Sequence, residues 1–259
     1  MKIPIYQIDA FTDERFHGNP AAVCILNDWL PDETLQDIAA ENNLAETAFV
    51  VAKDNIFELR WFTPKMEVDL CGHATLATAH VYKKHLSFQL SEISFKTQSG
   101  ILKVIFDADV LSMIFPRRPA EPCDVPDQLV DGINAKPLDV LKARDYLVVL
   151  NHEDEVRNLN PDIEKLKVPN CLGVIVTARG KSVDFVSRFF APNAGVSEDP
   201  VTGSSHSTLI PYWARRLEKN KLTALQLSKR GGKLFCEDLG NQVKIAGKAV
   251  TYLMGSIIV

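Results

Sequence analysis

The sequence predicts a mixed α+β protein of two similar halves, each a strongly curved sheet wrapped around one buried helix. Three observations carry that expectation. The first is an internal repeat: Arg60-Trp61-Phe62-Thr63-Pro64 recurs as Arg188-Phe189-Phe190-Ala191-Pro192, 128 residues further along a chain of 259. The second is a pair of stretches without formal charge, residues 70–82 and 200–214, where Gly72 and Gly203 mark helix starts. A surface helix needs a polar face, so two uncharged helices read as buried ones. Their small residues, among them Ala74, Ala77, Ala79, Ser204 and Ser207, let other elements approach closely on all sides. The third observation is the number of short, alternating apolar runs punctuated by turn residues, which supply the sheet.

Taken in order, residues 3–10, 21–26, 47–52, 56–62, 93–97, 102–106 and 111–115 are expected strands of the first half. A helix opens near Pro31, whose missing N–H costs nothing in a first turn. Asp32 and Glu33 oppose the dipole there, and Leu35, Ile38 and Ala39 form an apolar face running to about Asn42. The first uncharged helix follows from Gly72. In the second half, strands are expected at 146–150, 173–177, 183–190, 224–227, 243–245 and 253–258, with Gly231-Gly232 a turn between strands. Pro211 is expected to kink the second buried helix by removing a hydrogen-bond donor. Pro116, Pro119, Pro122 and Pro126 mark the connection, giving domains 1–118 and 119–259, with the final strand of the chain a candidate to join the first.

Composition narrows the function classes. A hydrophobic fraction of 46% and a charged fraction of 24% describe an ordinary globular chain and exclude disordered, collagenous and coiled-coil classes. With 29 basic against 33 acidic residues, a net charge of -4, no basic field exists for nucleic acid or an anionic membrane. Cys24, Cys71, Cys123, Cys171 and Cys236 contain no C-x-x-C pair, so no zinc cluster is expected, and they fit a reducing compartment. Met1-Lys2-Ile3-Pro4 runs into alternating residues rather than a secretory signal, and no apolar run approaches the ~20 residues that span a bilayer. A cytoplasmic protein without membrane or nucleic-acid partners is expected.

Two helix N-termini facing a crevice between the halves would make a clamp for a carboxylate, because each offers unpaired N–H groups and the positive end of a dipole. A small anionic ligand is therefore expected. The polar residues around such a clamp are Glu46, Asp69, Cys71, His73, Glu198, Asp199, Ser204 and His206. Glu46, in Leu44-Ala45-Glu46-Thr47-Ala48-Phe49, has only apolar or small neighbours, the setting of a partly desolvated acid or base; the alternative is a solvated loop glutamate or one capping a turn. At its helix start, His73 is expected to have a lowered pKa and to be neutral, either facing a ligand or held as a buried helix histidine. Asp199 reads first as a loop residue and second as a catalytic carboxylate. Ser204 reads as an N-cap or as a donor to a ligand oxygen. Cys71 reads first as structural and second as an activated thiol; its counterpart in the repeat is Thr202, so a two-thiol arrangement is absent. Asn19, in His17-Gly18-Asn19-Pro20, belongs to a turn with a ligand-loop role as its second reading. The other cysteines read as small buried residues.

At these residues the sequence resembles the PhzF-like phenazine-biosynthesis isomerases, relatives in fold of diaminopimelate epimerase. The resemblance rests on Asp9-Ala10-Phe11 with Gly18-Asn19-Pro20-Ala21-Ala22-Val23, Asn43-Leu44-Ala45-Glu46-Thr47, Phe62-Thr63-Pro64 with Cys71-Gly72-His73-Ala74-Thr75, and Glu198-Asp199-Pro200-Val201-Thr202-Gly203-Ser204. It implies a diaminopimelate epimerase-like fold of two pseudo-twofold-related domains, and a homodimer. It also implies a biosynthetic, cofactor-independent isomerase without a metal, acting on a small carboxylate-bearing metabolite in the cleft between domains. Carried over by position, the general acid/base falls on Glu46 and supporting active-site residues on His73, Asp199 and Ser204, with Gly72 and Gly203 as helix-start glycines. Cys71 and Asn19 join the substrate-binding set. Members nearest the phenazine enzyme usually have a small residue where Cys71 stands, so the substrate does not carry over. The alternatives are an epimerase-like enzyme using Cys71 and a catalytically silent small-acid-binding protein.

Overall fold

The computed structural model describes residues 1–53 and 56–259. The chain divides into two compact units, Met1–Ile114 with Ala246–Val259, and Phe115–Ile245.

In the first unit the elements are β1 (Lys2–Ala10), β2 (Asn19–Leu26), α1 (Asp32–Asn42), β3 (Glu46–Lys53), β4 (Ile56–Phe62), β5 (Glu67–Val68), α2 (Gly72–His85), β6 (Glu92–Thr97), β7 (Gly100–Asp107) and β8 (Val110–Pro116). In the second they are β9 (Glu121–Pro122), α3 (Asp127–Ile133), β10 (Asp139–Lys142), β11 (Tyr146–Val149), α4 (Glu153–Arg157), β12 (Val174–Arg179), β13 (Phe185–Phe190), α5 (His206–Leu217), β14 (Lys221–Gln226), β15 (Gly232–Asp238) and β16 (Gln242–Gly247). The chain then returns to the first unit with β17 (Ala249–Ile258).

Strand pairing shows how deep the repeat runs. In the first unit β2 pairs parallel with β3, β3 antiparallel with β4, β4 parallel with β6 and β6 antiparallel with β7. The second unit repeats this order as β11–β12 parallel, β12–β13 antiparallel, β13–β14 parallel and β14–β15 antiparallel. The helices fall at matching places: α1 and α4 cross over the first parallel pair, α2 and α5 the second. Parallel neighbours require such crossovers, so the repeat is one of supersecondary structure as well as of sequence.

Both faces of the first sheet are covered. Ala22, Cys24 and Leu26 of β2 and Phe49 and Val51 of β3 pack with Leu35, Ile38 and Ala39 of α1. The alternate residues Ala21, Val23, Ala48 and Val50 are equally buried, on the face opposite. Helix α2 packs against β1, β2, β3, β7 and β17, and every residue from His73 to Tyr82 is buried, which is why the stretch carries no charge. In the second unit β12 and β13 pack with α3 and α4 around Val148, Val156, Val176, Val186 and Phe190. No helix among the described residues is long and apolar enough to cross a membrane.

The structure corrects several expectations. α5 begins at His206 rather than at Thr202, the residues before it forming turns. Its N-cap is Ser205 with no side-chain cap bond, so Ser204 is not the cap. Pro211 lies inside α5 without ending it. The Ser207 carbonyl, one turn back, loses its usual intrahelical donor to the proline ring and accepts the Arg118 N–H at 2.9 Å instead. The expected strand at 183–190 starts at Phe185. α3, α4, β10 and β15 were not expected, being short or flanked by glycine. Cys24 and Cys236 are buried as expected, but Cys123 and Cys171 are only partly so.

One glycine is dictated by a close approach. Gly18 has φ of 66°, and a Cβ there would stand 2.2 Å from the Ala10 carbonyl oxygen. Gly18→Ala is therefore expected to cost roughly 1–3 kcal/mol, read as a lower chemical-denaturation midpoint, because the loop that delivers Asn19 must move.

Candidate functional site

Three backbone features of the first unit bring four polar side chains together. The turn after α1 closes on Asn43, left-handed at φ of 48°, and the chain re-enters the sheet at Glu46, which pairs with Ala21. Cys71 is the extended N-cap of α2, and its carbonyl accepts the Thr75 hydroxyl at 2.6 Å, which fixes the first turn and His73 with it. Asn19 opens β2, opposite Ala10, and is fully buried. Asp9, buried on β1, accepts the Phe16 N–H at 2.9 Å and so ties down the loop that leads to it.

The result is a line of functional groups through one imidazole. Glu46 Oε2 lies 3.1 Å from His73 Nε2, with the Glu46 side chain 20% and the His73 side chain 8% exposed. On the other ring nitrogen, His73 Nδ1 is 3.5 Å from Cys71 Sγ and 3.4 Å from Asn19 Nδ2. Burial opposes a charge on His73, but Cys71 and the Glu46 carboxylate beside it lift its pKa well above the ordinary value. This overturns the helix-dipole expectation of a neutral imidazole: two specific acidic neighbours outweigh a partial charge at a helix end. Burial, and then the charge of Glu46, push the Cys71 thiol up, against the lowering pull of the His73 charge beside it.

Glu46, Cys71 and His73 present donor atoms all within 4.8 Å of one another, a set whose chemistry suits a transition metal. The same arrangement also suits proton transfer, with the carboxylate 3.1 Å from one ring nitrogen and the sulfur 3.5 Å from the other.

In the second unit the loop before α5 is fastened by Gln226, the buried last residue of β14. Gln226 Oε1 accepts the Thr202 N–H at 2.8 Å, and Gln226 Nε2 donates to the Asp199 carbonyl at 2.8 Å. The Thr202 hydroxyl donates to Asp199 Oδ2 at 2.5 Å, so this carboxylate helps to hold the loop. Ser204 Oγ accepts from Arg144 Nη2 at 3.2 Å, and Arg144 is itself paired with buried Asp145 at 2.5 Å. Gly203 is buried between them. Arg144 and Gln226 belong to no sequence motif. Neither was singled out from the sequence; the one signal that could have done so is Gln226 as the polar residue of an otherwise apolar stretch, Ala224-Leu225-Gln226-Leu227.

The remaining candidates serve structure. Arg188 forks onto Glu198 at 2.7 and 3.0 Å, as Arg60 forks onto Glu67 at 2.7 Å twice, and the guanidiniums lie over Phe190 and Phe62, equivalent positions of the repeat. The Asp69 side chain is exposed, and its carbonyl accepts the Ser99 hydroxyl at 2.7 Å. His206 Nδ1 donates to the Thr202 carbonyl at 2.8 Å, matching the bond from Thr75 to Cys71, and burial lowers its pKa to about 4. The folded state thus keeps His206 neutral where the unfolded chain would protonate it near 6.5. Its stabilising contribution is full above that value and is lost as pH falls toward 4, a change of about 3 kcal/mol at 1.36 kcal/mol per pKa unit. Ring NMR titration should show this histidine unprotonated at pH 5, with unfolding midpoints falling across the same window.

The model of the phenazine biosynthesis-like protein family matches residues 8–255 of the chain. The chain belongs to that family. A member from Pseudomonas aeruginosa, named an uncharacterized isomerase, is 52% identical over 257 residues, covering 99% of each chain. The crystal structure of a PhzF family protein from Enterococcus faecalis superposes with a TM-score of 0.98 at 44% identity over the whole of both chains. A hydroxyproline epimerase from Agrobacterium vitis, with trans-4-hydroxy-L-proline bound, shares the fold at a TM-score of 0.61 and 10% identity, over 99% of this chain and 91% of that one. Family membership, with relatives of 52, 48 and 44% identity all named isomerases, makes the chain an enzyme of the isomerase class.

Proposed function

We propose that this protein is a cytosolic, homodimeric isomerase, independent of cofactors, that moves a proton within a small carboxylate-bearing metabolite with Glu46 as its general acid/base. The observation that carries the reading is the 3.1 Å approach of Glu46 Oε2 to His73 Nε2, with Cys71 and Asn19 on the far side of the ring. Glu46 takes the proton as a substrate C–H bond breaks, and the electron pair passes into the conjugated system that ends at the substrate carboxylate. When Glu46 becomes neutral, the His73 imidazolium beside it stabilises the negative charge now on the substrate. The proton returns from Glu46 to a different carbon, so nothing is consumed. Catalysis by one positioned carboxyl group of this kind is worth about 10²–10⁴ in rate.

In the second unit the turn of Gly203 and Ser204 offers donors for a carboxylate, with Arg144 supplying a cation and Asp199 holding the loop. The test is incubation with a panel of small unsaturated and dihydroaromatic carboxylic acids, followed by NMR. Conversion of one of them to an isomer of equal mass supports the reading. Binding without conversion supports a silent acid-binding protein.

One observation favours a second mechanism. Cys71 Sγ lies at hydrogen-bond distance from His73 Nδ1, so the imidazolium is placed to hold the sulfur as the thiolate that would serve as the base of an epimerase-like step. Cys71→Ser separates the two, since only the thiol mechanism loses most of its rate.

A further inference from the structure

Away from Glu46, at the opposite end of α2, the first unit holds a cavity of about 460 Å³. Its charged lining consists of Arg15, Lys83, Lys84 and Lys248 against Asp13 and Asp109, a basic excess in a protein whose net charge is -4. The cations come from three separate places: the loop between β1 and β2, the last turn of α2, and the turn before β17. Lys83 and Lys84 also suit the negative end of the α2 dipole. Arg15 and Lys248 have no such reason to be there.

Two of these charges are compensated, Lys84 by Asp109 at 3.2 Å and Lys248 by Asp13 at 3.0 Å. The other two have no carboxylate partner among the described residues. Arg15 Nε donates to the Thr251 carbonyl at 3.1 Å, and Lys83 Nζ reaches only the Leu90 carbonyl at 3.4 Å while lying 5.1 Å from the centre of the Phe106 ring. The lining also carries hydrogen-bonded polar groups. The Thr251 hydroxyl stands between His80 Nε2 at 3.0 Å and His85 Nε2 at 2.8 Å. A hydroxyl has one proton, so one imidazole accepts from it and the other donates to it.

We propose that this cavity binds a multivalent oxyanion, the phosphate or diphosphate group of a small metabolite, with Arg15 and Lys83 as its principal cationic contacts and Lys84 and Lys248 released from their surface pairs to join them. A volume of this size is in the usual range for small-molecule pockets. Exposed ion pairs contribute little, so exchanging their partners for a phosphate costs little. A guanidinium meets phosphate oxygens two at a time, which selects a multivalent oxyanion over chloride.

Calorimetric titration of the full-length protein with inorganic pyrophosphate, and separately with ADP, tests this at low salt. Saturable binding is expected for pyrophosphate, weakened about tenfold or more in the Arg15→Ala/Lys83→Ala variant and unchanged in Glu46→Gln. Because both replaced side chains reach solvent, the double variant should keep the wild-type melting temperature without ligand, and it should keep basal isomerase activity. Tighter binding of ADP than of pyrophosphate assigns the ligand to an organic diphosphate; equal binding assigns it to the inorganic group. Absence of saturable binding, binding that survives in the double variant, or binding lost instead in Arg144→Ala would overturn the proposal.

Discussion

Glu46→Gln is expected to lower turnover by about 10²–10⁴ while leaving the fold intact. The amide is isosteric and keeps an oxygen near His73, so packing at the start of β3 is preserved. What disappears is the group that accepts and returns the proton. The loss should fall on kcat and on kcat/KM alike, because the carboxylate acts in the transition state rather than in uniform binding of the substrate. A melting temperature close to that of the wild type, with activity gone, separates this from a structural defect. Unchanged activity would remove Glu46 from the mechanism.

Arg188→Met is expected to produce the largest loss of stability, roughly 3–5 kcal/mol, the usual cost of removing one partner of a buried pair. The Arg188 side chain is only 12% exposed, and besides Glu198 it donates to the Leu159 carbonyl at 2.6 Å and the Val156 carbonyl at 3.3 Å. All three acceptors are stranded together. For a chain of this size the melting temperature should fall by roughly 10 °C. Arg60→Met, the equivalent change in the first unit, should cost less, since Arg60 is 20% exposed and its second partner, Asp32, is 76% exposed. Lysine should not rescue Arg188, because an ammonium cannot make the two-pronged contact. Equal effects at the two arginines would show that the surrounding carbonyls add nothing.

These two arginines also mark what was legible in the sequence. The repeat of Arg60 as Arg188, and the lack of charge from Leu70 to Tyr82, pointed to two sheet-and-helix units, because burial on all sides forbids charge; the carboxylates were less legible, since Glu67 follows its arginine by seven residues and Glu198 by ten. The short elements β10, α3 and α4 were not legible, since a strand of four residues or a helix of five to seven carries too little periodicity to stand out from its loops. The start of α5 was missed because small polar residues such as Ser204 and Ser205 suit a turn as well as a helix. Within the candidate site, Glu46 stood out as a lone charge among apolar neighbours, and His73 by its place after Gly72. The direction of the His73 titration was not legible, because it depends on the Glu46 carboxylate and the Cys71 thiol beside it. Arg144 was invisible for the same reason: its relation to Ser204 spans sixty positions and exists only in the folded chain.

In the proposed reaction Glu46 carries a proton to and from substrate carbon. Deuterium uptake from heavy water into the turned-over carboxylic acid, compared between wild type, Glu46→Gln and Cys71→Ser, tests it most directly. Label is expected at carbon with wild type and Cys71→Ser and none with Glu46→Gln. Label that persists in Glu46→Gln and vanishes in Cys71→Ser would contradict it and give the proton to the thiol.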